Sequence, residues 1–375
     1  MIPIWAAVAF CTVTTVIHLA STIVAIIRCR VPASARRPPL HAPRVSLVRP
    51  VCGIENYVEA TLGSAFDLDY PRYEIIFCVA SAHDPVVPVV ERLMAAHPGV
   101  PARLLIGNET ISDNPKLNNC FKGWRAASCD WVVFADSNVF MPPDYIQRLL
   151  SAWRIDTGLV CSPPVGCRPA GFWAEVECAF LNTYQARVQY AADSLGLGFA
   201  QGKTMLWMRS TLEQAGGIRA LASELAEDAA STKVVRGAGL RVRLVDAPFE
   251  QPLGYRSAQE VWRRQVRWAR LRRASFKLYF MPEILAGAAW PLAAAAFAAA
   301  QADVSLGSVP ALAAVWYGSE ALLAWAAGWH LTARSPLAWV MRDLLLPALW
   351  IHGWLGGAFV WRGNEMRPAE SRGAV

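Results

Sequence analysis

The sequence predicts an α/β domain with a doubly wound, mostly parallel sheet, set between an N-terminal membrane helix and apolar C-terminal segments. Three observations lead there. Short apolar runs bounded by turn residues alternate with helical patterns over 45–248, the rhythm of strand–helix–strand units. Residues 4–27 are almost wholly apolar, with His18 the only strongly polar side chain among them. Hydrophobic residues make up 54% of the 375 and charged residues only 17%. Soluble domains carry about 25% charged residues, so part of this chain is expected in lipid.

The first segment, 1–30, is expected to be a transmembrane anchor, because about twenty apolar residues span a bilayer as a helix. Arg28, Arg30, Arg36, Arg37 and Arg44 follow the apolar run 4–27, which places that end in the cytoplasm. A cleaved signal peptide would carry its basic residues before the apolar run. A basic linker follows over 31–44, with Pro32, Pro38, Pro39 and Pro43. The α/β domain is expected over 45–256. Its strands are read from "VSLVRP", "YEIIFCVA", "PARLLIG", "DWVVFADS", "GLVCSPP" and "LRVRLVD". Helical patterns occupy 57–66, 86–96, 118–127, 143–153 and 222–237. From 257 to 281 the chain turns basic and aromatic. Trp262, Gln265, Val266, Ala269 and Phe276 alternate with arginine faces, as in a helix lying on an anionic leaflet. About three apolar membrane segments are expected within 282–362, at 284–302, 309–329 and 337–361. The third contains Arg342, Asp343 and Pro347, which allow a kink or a re-entrant path. Three full crossings would put Arg362, Arg367 and Arg372 of the tail, 363–375, on the outer side, against the positive-inside tendency.

Composition narrows the partners. The formal charge is +7, which fits an anionic membrane surface or an anionic substrate. A Lys/Arg-rich arm, a zinc finger or an RNP-like run would point to nucleic acid, and none is present. The nine cysteines are scattered with no C-x-x-C, which reads as reduced thiols in a cytosolic domain. The six histidines show no paired ligand spacing, so no structural zinc is expected.

Ligands of a parallel sheet sit beyond the carboxyl ends of its strands, and Asp84 and Asp136 both fall there. In "VVFADSN", Asp136 is either a polar cap on a buried strand or an oxygen ligand for Mg²⁺ or Mn²⁺ carrying a diphosphate. Asn138, two residues on, offers a neutral oxygen to a metal or a contact to a sugar hydroxyl. Asp84, in "SAHDP", is a turn residue or an acceptor for the imide N–H of uracil. "NPKLNN" puts Lys116 at a helix start. The asparagines there cap the helix, or the site holds a diphosphate with Lys116 as a point charge. Asp228, in "AED", is either a solvated helix acid or a general base. "RQVRW" sets Arg264 and Arg267 on one helix face beside Trp268, for lipid headgroups or for a leaving diphosphate and a sugar or acceptor pocket. "GLGFAQGKT" suggests a phosphate loop, but Leu197 stands where that motif needs glycine, so a P-loop NTPase is excluded.

Taken in order, Asp84, Asp136, Asp228 and R-x-x-R-W between membrane segments resemble the D, D, D, (Q/R)-x-x-R-W series of membrane-bound inverting glycosyltransferases. The stretches "LDYPRYEIIFCV", "NPKLNN", "ADSN", "EQAGGI", "LAEDAASTK" and "RQVRWARLR" are more closely similar to the ceramide glucosyltransferase family, glycosyltransferase family 21. "LVRPVCG", "SPPVGCRP", "LNTYQAR" and "FAQGKTMLW" resemble its bacterial subgroup linked to hopanoid biosynthesis. The resemblance implies a GT-A fold, a UDP-sugar donor, a Mg²⁺ or Mn²⁺ ion, and one in-line displacement giving a β-linkage to a membrane lipid, ceramide or a hopanoid polyol. It assigns Asp84 to the uridine side, Asp136 to the metal–diphosphate or the donor sugar, Asp228 to the base, and Arg264, Arg267 and Trp268 to the acceptor and leaving-group side. The expected location is a bacterial inner membrane, multi-pass, with the catalytic domain facing the cytoplasm. A processive polysaccharide synthase shares the residue series, and a non-catalytic nucleotide-sugar sensor could dispense with the base.

Overall fold

The inner strands of the central sheet are short and covered on both faces, which is why their runs read as continuous rather than alternating. The two edge strands, 102–106 and 241–244, are partly exposed. The computed structural model describes residues 3–30, 37–38, 41–303 and 305–355, and the backbone of 359–361 and 364–366. Pro32, Arg36, Pro39, Arg362, Arg367 and Arg372 lie outside the described residues.

Helix α1 (Ile4–Arg28) precedes β1 (Val45–Pro50), α2 (Val58–Gly63), β2 (Tyr73–Val79), α3 (Val87–Ala96) and β3 (Ala102–Ile106). Then come α4 (Pro115–Ala126), β4 (Trp131–Ala135), α5 (Tyr145–Ser151), β5 (Thr157–Cys161) and β6 (Val165–Ala170). Helix α6 (Phe172–Ala179) runs through a π-helical stretch, Phe180–Ala186, into α7 (Arg187–Ser194). Strand β7 (Thr204–Met208), α8 (Arg209–Gln214), α9 (Glu227–Gly237), β8 (Arg241–Leu244) and β9 (Glu250–Tyr255) complete the domain. The chain ends in α10 (Ala258–Ser275), α11 (Lys277–Phe280), α12 (Ala289–Gln301), α13 (Ser308–Ala327) and α14 (Ser335–Trp354).

The main sheet has seven strands in the order β3-β2-β1-β4-β7-β5-β8. All pairings are parallel except those of β7, which runs antiparallel to both β4 and β5. The predicted mostly parallel α/β sheet is therefore present. Sequence reading assigned neither β7 nor the β6–β9 pair. Alternate residues of each strand feed the two cores. Val48, Ile76, Val132 and Phe134 pack with α4 and the α6–α7 stretch. Leu47, Ile75, Phe77 and Val133 pack with α2, α3 and α5.

Helix α4 begins where Asn114 accepts from the N–H groups of Lys116 and Leu117, with Pro115 in the first turn, a start that leaves few orphan donors. It lies close on the sheet because Gly123 faces Val48 and Cys78, where an added Cβ would meet Val48 Cγ1 at 2.3 Å. The basic aromatic helix of 257–281 is α10, opened by a capping box between Ser257 and Glu260. It buries Val261, Gln265, Val266 and Ala269.

Three membrane-crossing C-terminal helices are not supported. Among the described residues, α1 is the one helix long and apolar enough to cross by itself. A second candidate is the pair Lys277–Leu285 and Ala289–Gln301, bent by 44°. Helix α12 has 13 residues, about 20 Å at 1.5 Å per residue, short of a bilayer core about 30 Å thick. Helices α13 and α14 are longer but turn Glu320, Arg342 and Asp343 inward. Arg342 donates to both Glu320 oxygens at 2.9 and 2.8 Å and to Asp343 at 2.8 Å. The apolar run 337–361 also breaks, because α14 ends at Trp354 and 359–361 pair antiparallel with 364–366. Outward, α1 exposes Trp5, Val13, Val16, Ile17, Ile23 and Ile27.

Candidate active site

Four of the predicted residues, Lys116, Asp136, Asn138 and Asp228, meet in one hydrogen-bonded network beyond the end of β4. Strand β4 delivers Asp136, and the backbone of the following turn is clamped by Arg49. That guanidinium is fully buried and donates to the carbonyls of Thr61, Asp136 and Val139 at 2.8, 2.9 and 3.2 Å. Burial pulls the Arg49 pKa down to about 10, and the carbonyl dipoles together with the nearby Asp136 carboxylate hold the cation.

The Asp136 carboxylate sits between two lysines. Lys116 Nζ lies 2.7 Å from one oxygen and Lys203 Nζ 3.0 Å from the other. Burial would raise the Asp136 pKa, but the two ammonium groups outweigh it and hold it at about 2. Lys203 Nζ also donates to Asn138 Oδ1 at 3.1 Å. Its position follows from β7. The register Ala135↔Thr204 sets Lys203 opposite Asp136, and Asp136 N donates to the Lys203 carbonyl at 3.0 Å.

Lys116 extends the network to α9. Its Nζ pairs with Glu227 Oε1 at 2.5 Å and donates to the Gly202 carbonyl. Burial lowers the Lys116 pKa, yet Asp136 and Glu227 reverse that and raise it well above its usual range. Glu227 is further fixed by Asn114 Nδ2 at 2.8 Å. Asp228 accepts from the N–H groups of Gly202 and Ala229, at 3.1 and 2.8 Å. Burial first, and Glu227 second, push its pKa up to about 6. Gly202 leaves room for this pair, since an added Cβ would stand 2.7 Å from the Glu227 carboxylate and 2.9 Å from the Lys116 ammonium and would push both aside.

Asp84 lies in the loop after β2. Both its oxygens accept from Gly53 N, at 2.9 and 3.1 Å, and Oδ1 also accepts from Val86 N at 2.9 Å. It thus ties the loops after β1 and β2 at the carboxyl edge of the sheet. On α10, Arg264 donates to the buried Glu177 at 2.6 Å, and its guanidinium lies 6.0 Å from the centre of the Trp268 ring. Trp268 packs against Cys178, Leu181 and Leu253. Arg267, one turn from Arg264, is half-buried. The contacts of Arg264 and Trp268 lead to α6 and β9 rather than to the lysine network.

Sequence reading missed Arg49, Lys203 and Glu227. The first looked like part of an apolar strand, and Glu227 stood beside the residue chosen as base. Lys203 belonged to the rejected phosphate-loop run, whose G-K pair reaches the site without forming such a loop.

Asp136 Oδ2 and Asn138 Oδ1 converge on one positive charge, the Lys203 ammonium. Two oxygens facing a cation suit a hard divalent ion, which takes one or two protein carboxylates and completes its shell from phosphates and water. No three His, Cys, Asp or Glu side chains converge among the described residues, so most ligands of such an ion would come from the substrate. The donor set fits a metal–diphosphate.

Two lysines and a carboxyl of raised pKa thus gather at the carboxyl edge of the sheet, where ligands of such folds bind. The model of glycosyl transferase family 21 matches residues 13–373, and the chain belongs to that family of glycosyltransferases. Ceramide glucosyltransferase 3 of Caenorhabditis elegans is 27% identical over 336 residues, 87% of this chain and 73% of the relative. Ceramide glucosyltransferase 1 of the same animal is 29% identical, over 61% of this chain and 50% of the relative. The ceramide glucosyltransferase of Komagataella phaffii is 42% identical over 112 residues, 29% of this chain and 22% of its own length. Beyond the first of these, the match spans half or less of the relative. Among solved structures, the mannosyltransferase PcManGT from Pyrobaculum calidifontis, in complex with GDP-Man and Mn²⁺, is 20% identical. It aligns over 92% of this chain and 97% of its own with a TM-score of 0.47, a likeness too slight to decide anything about this site.

Proposed function

We propose that this glycosyltransferase uses a GT-A-type domain to move a hexose, glucose or N-acetylglucosamine, from a UDP-sugar to a hydroxyl of a membrane lipid, with inversion. The observation that carries this reading is Asp228, a half-buried carboxyl with its pKa raised to about 6, linked through Gly202 and Lys116 to Asp136. A general base works best with a pKa near the operating pH. Glu227, by contrast, is committed to Lys116 and Asn114.

The acceptor oxygen attacks the anomeric carbon, the bond from that carbon to the diphosphate oxygen breaks, and Asp228 takes the acceptor proton. Lys116 and Lys203 stand where the diphosphate gains charge, and fixed cations there favour the transition state over the ground state. When bound at Asp136 and Asn138, Mg²⁺ or Mn²⁺ would supply further neutralisation of the leaving diphosphate. Asp84 is assigned to the uridine side, and Arg264, Arg267 and Trp268 to the acceptor side.

A lipid acceptor is supported by the apolar flank of the molecule. A cavity of about 280 Å³ lies between α6, α10 and α14, with Trp173, Phe180, Val261, Trp262, Leu345 and Leu349 in its wall. The exposed apolar face of α1 and the basic α10 suit a membrane surface. Ceramide and a hopanoid polyol are the two acceptor classes to test, with the α/β domain on the cytoplasmic side of a bacterial inner membrane. The full chain in detergent is incubated with UDP-glucose or UDP-N-acetylglucosamine, Mg²⁺ or Mn²⁺, and each lipid. Mass spectrometry should find one hexosylated lipid. Free sugar, polymer or no product across the panel would contradict the proposal.

A further inference from the structure

The geometry points to Lys203 as a built-in cation that keeps the divalent-ion position closed until a nucleotide diphosphate arrives. This rests on the proposed function, in which Asp136 faces a metal–diphosphate. The two lysines of the site differ in how firmly they are held. Lys116 has Asp136, Glu227 and the Gly202 carbonyl, and its side chain is 11% exposed. Among the described residues, the Lys203 ammonium is held by Asp136 and Asn138, and it is 17% exposed beside an Asp136 that is 20% exposed. Its ammonium therefore has a way out along a flexible stem.

A metal ion and the Lys203 ammonium cannot share the same two oxygens. Both are positive, and in a partly desolvated site their repulsion is screened less than in water. A bare ion must break the two hydrogen bonds of Lys203 and leave the displaced ammonium without an anion. A diphosphate supplies that anion. Lys203 would then move from carboxylate to phosphate, freeing the oxygens of Asp136 and Asn138 that would hold the ion. Metal and nucleotide binding become coupled through one side chain, and by linkage each raises the affinity for the other by the same factor.

The test uses the full chain in detergent and follows free Mn²⁺ by electron paramagnetic resonance, with and without UDP. Lys203→Met removes the charge. Lys203→Gln removes the charge but keeps a donor for Asp136 and Asn138, and serves if the Met variant does not fold. Both should bind Mn²⁺ without UDP about tenfold more tightly than the unmodified protein, the size expected for one charge-assisted hydrogen bond. The gain from adding UDP should shrink in both. Lys203→Arg, which keeps the charge, should behave like the unmodified protein. Equal Mn²⁺ affinity without UDP in all four proteins, with normal binding in its presence, would overturn the role of Lys203 and leave the metal site standing. Absence of Mn²⁺ binding even with UDP would overturn the metal site and this inference together.

Discussion

Asp228 and Asp136 are both acids at strand or helix termini, yet their surroundings drive them in opposite directions. Two lysines keep Asp136 ionised at every working pH, while burial and Glu227 leave Asp228 titrating near 6. Divergent environments of this kind separate a charge holder from a proton acceptor. A pH dependence follows. Protonated Asp228 cannot take the acceptor proton, so kcat/KM should fall about tenfold per pH unit below a limb near 6. An unshifted aspartate would hold activity down to about pH 4. A pH–rate profile between 4.5 and 8 checks this, and a flat profile to 4.5 removes Asp228 from the role. Asp136 was legible as the end of a strand, and Asp228 only through its place in the series Asp84, Asp136, Asp228 and R-x-x-R-W, since the helix expected over 222–237 begins at Glu227. The lysine that completes the pair was not, because its place depends on which strand lies beside β4.

At the scale of elements, that strand is the informative miss. "TMLWM" is a short apolar run, and nothing in five residues tells whether a strand runs with or against its neighbours. Only the assembled sheet shows β7 antiparallel between β4 and β5. The stretch Phe172–Ser194 escaped assignment for a different reason. It buries Glu175, Glu177, Asn182, Thr183, Arg187 and Gln189, so its inward face is polar and the usual amphipathic period is lost. The six predicted strands and five helical patterns, by contrast, are present, the last helix starting at Glu227 rather than 222. The close seat of α4 on β1 and β2 gives a prediction at this scale. Gly123→Ala puts a methyl group 2.3 Å from Val48 and should cost about 1–3 kcal/mol by overpacking. A lower melting temperature for the detergent-solubilised protein, with Lys116 displaced at the far end of the same helix, should also weaken UDP binding. Unchanged stability would mean that α4 does not rest on Gly123.

Across the whole molecule, α1 is joined to the α/β domain by charge as well as by packing. Arg28, its last residue, pairs with Asp193 at 2.8 Å and Asp246 at 2.5 Å. Its body packs along α12, α13 and α7. Apolar composition led to an expectation of three C-terminal spans, and composition is blind to where the few charges point. Glu320, Arg342 and Asp343 point at each other and at Thr183 and Tyr317. They tie α13 and α14 to the π-helical stretch. Arg342→Met should leave two buried carboxylates uncompensated and cost about 3–5 kcal/mol. Thermal unfolding in detergent would show it, and a melting temperature equal to that of the unmodified protein would mean that the network does not hold these helices.

The central claim is that the Asp136–Lys116–Asp228 cluster performs glycosyl transfer with Asp228 as base. Single-turnover transfer by Asp228→Asn, measured beside UDP affinity, tests it most directly. The account predicts UDP binding close to that of the unmodified protein and transfer slower by about 10²–10⁴-fold. Transfer by Asp228→Asn within about tenfold of the unmodified rate would contradict it, since removal of a working general base costs more than that.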